Sequence, residues 1–175
     1  GRTRNPCKQR DYNSGFNREC WLKSVYRDRA DGLGIIAYTD VTNSDLKVAH
    51  CSNINCTSAT ITSLDTTGSV GEPPAITIGA DNLAIIAYNY DTGGDLKVAH
   101  CSNINCTHIS KTVVDSNGGE YISIAIGADG QGLISYYDST NDDLKLVHCL
   151  NVTCSQYDAP VTLDSDGDVG ASTSL

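Results

Sequence analysis

Three histidines stand directly before a cysteine: His50-Cys51, His100-Cys101 and His148-Cys149. Each of these cysteines has a second one five positions on, so that Cys51 and Cys56, Cys101 and Cys106, and Cys149 and Cys154 share the spacing Cys-x4-Cys. A fourth pair, Cys7 and Cys20, lies near the start of the sequence. Imidazole and thiolate side by side suggest either zinc or disulfide chemistry. Neighbouring strand residues point to opposite faces, so a His-Cys dipeptide does not easily turn both groups onto one metal. Structural zinc sites also favour a shorter Cys-x2-Cys knuckle. The spacing therefore predicts four disulfides, Cys7–Cys20, Cys51–Cys56, Cys101–Cys106 and Cys149–Cys154, formed in an oxidising compartment. Closing so short a loop is worth only about 2 kcal/mol of chain entropy, but it sets the register of the strands on either side.

Other residue groups suggest less chemistry. Asp164-Ser-Asp166-Gly-Asp168 has the alternating carboxylates of a calcium loop. The matching stretches Asp65-Thr-Thr-Gly-Ser and Asp115-Ser-Asn-Gly-Gly have lost most of those acids, and no bidentate Glu follows. Asp164, Asp166 and Asp168 are thus a weak calcium candidate, and a solvated turn is the better expectation. The histidines share a face with Leu46 and Val48 or their counterparts and read as structural. Gly-x-Ser-x-Gly, a Gly-rich phosphate loop and His-Glu-x-x-His are all missing from the sequence. The expectation is a protein without enzymatic activity and without a cofactor. Three Asn-x-Thr sequons, at Asn55, Asn105 and Asn151, would set glycans along one edge of the molecule. Asn151 is expected to be the least obstructed, since no Cys occupies the middle of its sequon.

These residues recur because the sequence repeats. Asp45 to Thr57 reads DLKVAHCSNINCT, and Asp95 to Thr107 repeats all thirteen residues. A looser copy begins at Asp143, giving start-to-start spacings of 50 and 48 residues. Asp31, Asp81 and Asp129 mark one recurring turn, and Asp65, Asp115 and Asp164 another. A period near fifty denotes copies of one supersecondary unit that bury their apolar faces against each other. Each copy holds four strand-like runs, represented by Ala75 to Ile78, Leu83 to Tyr88, the stretch ending in His100-Cys101, and Thr112 to Val114. Turn residues separate them, and an apolar stripe of period 3.6 is missing. The fold expected is all-β: tandem four-stranded, blade-like repeats of β-propeller type, with a small disulfide-containing N-terminal head. A β-sandwich or β-solenoid with four strands per repeat fits the same pattern. The head spans 1–30 and the repeat domain 31–175, with repeats at about 31–74, 75–122 and 123–170 and a partial strand at 171–175.

The stretches Ser123 to Asp138 and Asp143 to Cys149 resemble the fifty-residue units found in tandem in secreted and cell-surface bacterial proteins. The resemblance covers residues 31–175 and leaves the head outside. It implies an extracellular, propeller-like β-repeat architecture.

Charge divides unevenly along the chain. Residues 1–30 hold eight of the twelve Lys and Arg against three acids, a net of +5, whereas residues 31–175 hold four Lys against eighteen acids, a net of −14. So acidic a body repels phosphate and argues against nucleic acid. No run of apolar residues is long enough to span a membrane as a helix. The first repeat has no proper first strand, whereas Ala171 to Leu175 looks like the opening of one. This mismatch, with the charge division, leads to the expected function: a structural subunit of an extracellular or cell-surface filament. The partner would be a second copy, joined head to tail by strand complementation. The alternative is a secreted, lectin- or adhesin-like propeller module that binds surface glycans.

Overall fold

The alternating apolar runs fold as strands throughout. The computed structural model describes residues 29–71, 73–92, 94–116 and 118–175, so Cys7, Cys20 and nearly all of the basic head lie outside the described residues. Eleven strands follow in order: β1 (Ile35–Asp40), β2 (Asp45–Cys51), β3 (Ala59–Asp65), β4 (Ala75–Ile78), β5 (Ala84–Tyr90), β6 (Asp95–Cys101), β7 (Ile109–Asp115), β8 (Glu120–Ile126), β9 (Gly132–Asp138), β10 (Asp143–His148) and β11 (Val161–Asp164). The described residues contain no helix. The protein is all-β.

The strands form three antiparallel sheets, one per repeat. Their orders are β1-β2-β3, β4-β5-β6-β7 and β8-β9-β10-β11. Each sheet is a meander, as expected when consecutive strands are joined by short turns. The turns before β2, β6 and β10 reverse the chain at a residue with positive φ: Ser44 at 58°, Gly94 at 67° and Asp142 at 60°. In the second and third sheets the first strand of the repeat (β4 or β8) occupies the inner edge. In the first sheet, no described strand takes that place on β1. Residues 171–175 are not a regular strand either.

The core lies between sheets rather than within one. One apolar cluster joins the first and second sheets through Ile35, Leu46 and Val48 on one side and Ile76, Ile86 and Tyr88 on the other. The next joins the second and third through Ile85, Leu96 and Val98 against Ile122, Ile134 and Tyr136. β8 lies alongside β4, so the inner strands also stack. Each sheet buries both faces only if it has a neighbour on both sides, and this explains the almost continuously apolar β5.

Candidate functional site

The histidines prove to be fasteners of each repeat. His50 Nε2 lies 2.9 Å from Asp31 Oδ2, His100 Nε2 2.9 Å from Asp81 Oδ2, and His148 Nε2 2.8 Å from Asp129 Oδ2. Each aspartate also accepts a backbone N–H two residues on, from Leu33, Leu83 or Gln131, at 3.1 Å. The turn before the second strand is thereby tied to the end of the third. His148 has a second carboxylate, Asp158, 3.3 Å from Nδ1. Hydrogen bonds donated by its ring to the carboxylates of Asp158 and Asp129 raise its pKa above the ordinary histidine value.

Beside each histidine a disulfide closes the loop: Cys51–Cys56, Cys101–Cys106 and Cys149–Cys154. Among the described residues no cysteine is free. The loops repeat bond for bond. Cys56, Cys106 and Cys154 all adopt positive φ, and their N–H groups donate to the carbonyls of Asn53, Asn103 and Asn151. The side-chain carbonyls of the same three asparagines accept from the N–H groups of Thr57, Thr107 and Ser155. Asn151 therefore corresponds to Asn53 and Asn103, not to the sequon residues Asn55 and Asn105. This reverses the accessibility expected from the sequence. Asn55 and Asn105 are exposed, whereas Asn151 is half-buried and its amide is engaged by Ser155 and Thr153.

The calcium candidate does not assemble. Asp168 accepts a 3.0 Å hydrogen bond from the Tyr137 hydroxyl, and Asp164 Oδ1 accepts the Asp166 N–H at 3.1 Å. Among the described residues no three His, Cys, Asp or Glu side chains are placed to hold a metal ion. The stretch is a turn that uses its acids for its own hydrogen bonds.

The residues that join one repeat to the next were visible in the sequence only as turn markers. Asp65, at the end of β3, is 1% exposed. Its Oδ2 accepts the Tyr88 hydroxyl of the second sheet at 2.8 Å, and its Oδ1 accepts from Lys111 Nζ at 2.8 Å and from Thr67. Asp115, at the end of β7, repeats the tyrosine contact with a different lysine: Oδ2 accepts the Tyr136 hydroxyl of the third sheet and lies 3.4 Å from Lys145 Nζ. Lys145 comes from the third strand of its repeat, where Lys111 comes from the fourth. Lys145 Nζ in turn reaches Asp138 at 2.6 Å.

A bulge aims these carboxylates. Between Leu46 and Lys47, Leu96 and Lys97, and Leu144 and Lys145 the pairing slips by one residue. The bulged residues opposite are Leu64, Val114 and Leu163, each just before the aspartate. A bulge bends its strand and redirects the side chains beside it. Here it turns Asp65 and Asp115 off the edge of one sheet toward the tyrosine of the next. The signal available in the sequence was an acid followed 23 or 21 residues later by a tyrosine, at Asp65 and Tyr88 and at Asp115 and Tyr136.

Neither a protein-family model nor a curated protein sequence matches the chain. Solved structures do share its fold. A protein of unknown function from Dyadobacter fermentans superposes with a TM-score of 0.64 at 13% identity, covering 86% of this chain and 43% of its own. A bifunctional GH43-CE protein of Bacteroides eggerthii gives 0.51 at 12% identity, with 85% and 20% covered. A GH43 β-1,3-galactosidase gives 0.52 at 7% identity, with 81% and 38% covered. The chain thus spans less than half the length of each. The two GH43 structures are β-propeller domains, and the likeness establishes a propeller-like fold alone.

Proposed function

We propose that this protein is a non-enzymatic structural subunit of an extracellular filament, whose copies join head to tail by strand complementation. The observation that carries the reading is the first sheet. It stops at β1 among the described residues, while its two counterparts continue to an inner strand. Residues 171–175 lie where a further inner strand would begin. The Thr173 hydroxyl donates to the Tyr121 carbonyl at 2.7 Å, and the Leu175 N–H donates to Ser123 Oγ at 2.9 Å. The segment thus rests on β8 much as β8 rests on β4, with its far edge available to a β1 strand from the next copy. Each ladder hydrogen bond so formed contributes about 1 kcal/mol net. Because the two surfaces differ, such contacts propagate into an open filament unless the rotation closes a ring.

The carboxylates support the non-enzymatic part. Glycosidic hydrolysis uses two facing carboxyl groups about 5–10 Å apart. On β4 and β8 the one acidic residue is Glu120. The most buried acids, Asp65 and Asp138, are each committed to a lysine. Three disulfides fit an oxidising, extracellular setting. In a host with N-glycosylation, sugar is expected on Asn55 or Asn105 in preference to Asn151, because the Asn151 amide is engaged within its loop. Glycopeptide mapping reads this directly, and occupancy at Asn151 alone would contradict it.

The decisive experiment is deletion of residues 171–175. The intact chain is expected to form filaments visible by electron microscopy, and the truncated chain to remain monomeric by light scattering. Neither apolar core contains a residue of 171–175, so the truncated chain keeps its circular dichroism and thermal transition. Filaments from the truncated chain, or a monomeric intact chain at high concentration, would overturn the reading.

A further inference from the structure

We infer that the contact between copies reproduces the sheet-to-sheet junction inside the molecule, with Asp164 of one copy accepting the Tyr38 hydroxyl of a second copy. This inference rests on the head-to-tail reading above and names the side chains that would select the partner.

The fifty-residue period assigns every participant. Asp164 ends β11 as Asp65 ends β3 and Asp115 ends β7, and the same bulge precedes all three. Its Oδ1 accepts the N–H two residues on, as Asp65 Oδ1 accepts that of Thr67. By Oδ2, Asp65 and Asp115 hold Tyr88 and Tyr136. The Oδ2 of Asp164 has no hydrogen-bond partner among the described residues, and the side chain is exposed. The carboxylate is already aimed, and among the described residues no further sheet lies against it.

The complementary group stands at the other end of the array. Tyr38 occupies in β1 the position of Tyr88 in β5 and Tyr136 in β9. Those two are completely buried, whereas Tyr38 is half-buried and its hydroxyl has no hydrogen-bond partner among the described residues. Lys47 and Asp40 form an ion pair beside it. They match Lys145 and Asp138, the pair that adjoins Tyr136 and Asp115. Placed against Asp164, Tyr38 and Lys47 would copy the Tyr136–Asp115–Lys145 arrangement group for group.

The apolar surface follows the same rule. Leu163 is 56% exposed, although its counterpart Val114 is 2% exposed inside a junction. Leu175 is 50% exposed, while its counterparts Ile76 and Ile124 are buried at 2% and 6%. The outer face of the third sheet therefore carries apolar residues at positions that the two internal junctions cover. A second copy presents to that face a first sheet built on the same pattern as the sheets that cover the two internal junctions.

The test uses the 175-residue chain and the lowest concentration at which it polymerises. Asp164→Asn and Tyr38→Phe are each expected to raise that critical concentration about ten-fold, the effect of losing one hydrogen bond to a charged group. The double variant should be no worse than either single one, since each abolishes the same charge-assisted bond. Asp166→Asn, in the same turn, should assemble like the parent. Because Asp164 is exposed and Tyr38→Phe removes only a hydroxyl without a hydrogen-bond partner among the described residues, unchanged thermal transitions are expected to separate loss of assembly from loss of folding. If Asp164→Asn and Tyr38→Phe assemble like the parent, or their effects add, the Asp164–Tyr38 contact is wrong. In that case a non-assembling 171–175 deletion leaves strand complementation standing. A parent chain that stays monomeric removes both.

Discussion

Replacing Asp65 by alanine is expected to destabilise the protein by about 2–4 kcal/mol, because it strands a buried hydroxyl and removes the hydrogen bonds that an enclosed carboxylate receives, while its lysine partner is half-exposed and regains water. The carboxylate is fully enclosed and receives hydrogen bonds from Tyr88, Lys111 and Thr67. Its loss leaves the Tyr88 hydroxyl buried without an acceptor between the first two sheets. Urea unfolding of the variant and the parent measures the difference, and a change below about 1 kcal/mol would place the strength of the junction in its apolar contacts instead. The same group makes stability depend on acid. Burial alone pushes the Asp65 carboxyl up, but the hydrogen bonds from Lys111, Thr67 and Tyr88 outweigh it and hold the pKa down at about 2. In the unfolded chain an aspartate titrates near 3.9. A depressed folded pKa means that this stabilisation is complete above pH ~4 and is lost as the pH falls toward 2. Asp65→Asn should flatten the stability profile across that window. A profile as steep as that of the parent would assign the acid sensitivity to other carboxylates.

Gly119→Val is expected to cost about 2–5 kcal/mol, combining backbone strain with overpacking. Gly119 has φ +125°, a conformation that residues with a side chain rarely adopt. A Cβ there would lie 2.9 Å from Leu96 Cβ and 3.1 Å from Leu96 Cα. Leu96 is completely buried in the junction core, so it cannot withdraw. This glycine lets the connection into β8 cross closely over β6. Gly167, at φ +93° with nothing within 4 Å of a Cβ, provides the control. Substitution there should cost the strain alone and leave the midpoint of chemical unfolding much closer to the parent. Equal losses at the two positions would show that packing against Leu96 contributes nothing.

How far the fold could be read from the sequence depended on the range of each interaction. The all-β class was legible because alternation along a strand and the turn residues between strands are local. The four-strand repeat was legible because thirteen residues recur unchanged, at Asp45 to Thr57 and Asp95 to Thr107. The Cys51–Cys56, Cys101–Cys106 and Cys149–Cys154 pairs were legible for the same reason, since each loop closes on itself within six residues. Asn151 misled because its sequon sits two residues earlier in the loop than those of Asn55 and Asn105. The hydrogen bonds of the loop follow the position, not the motif. Asp164, Asp166 and Asp168 were read as a turn more than as a calcium loop, since carboxylate spacing along the chain does not require the side chains to converge.

The sequence by itself thus determined the period, the strands, the sulfur pairing within each repeat and the division of charge, all properties of neighbours along the chain. Only the tertiary structure decided that Asp65 meets Tyr88 and that Asp115 meets Tyr136. Those contacts depend on a bulge that rotates one side chain and on the packing of one sheet against the next. The bulge depends on strand pairings such as Leu46 with Asp65, and the packing on contacts more than twenty positions apart, so no local pattern encodes their direction.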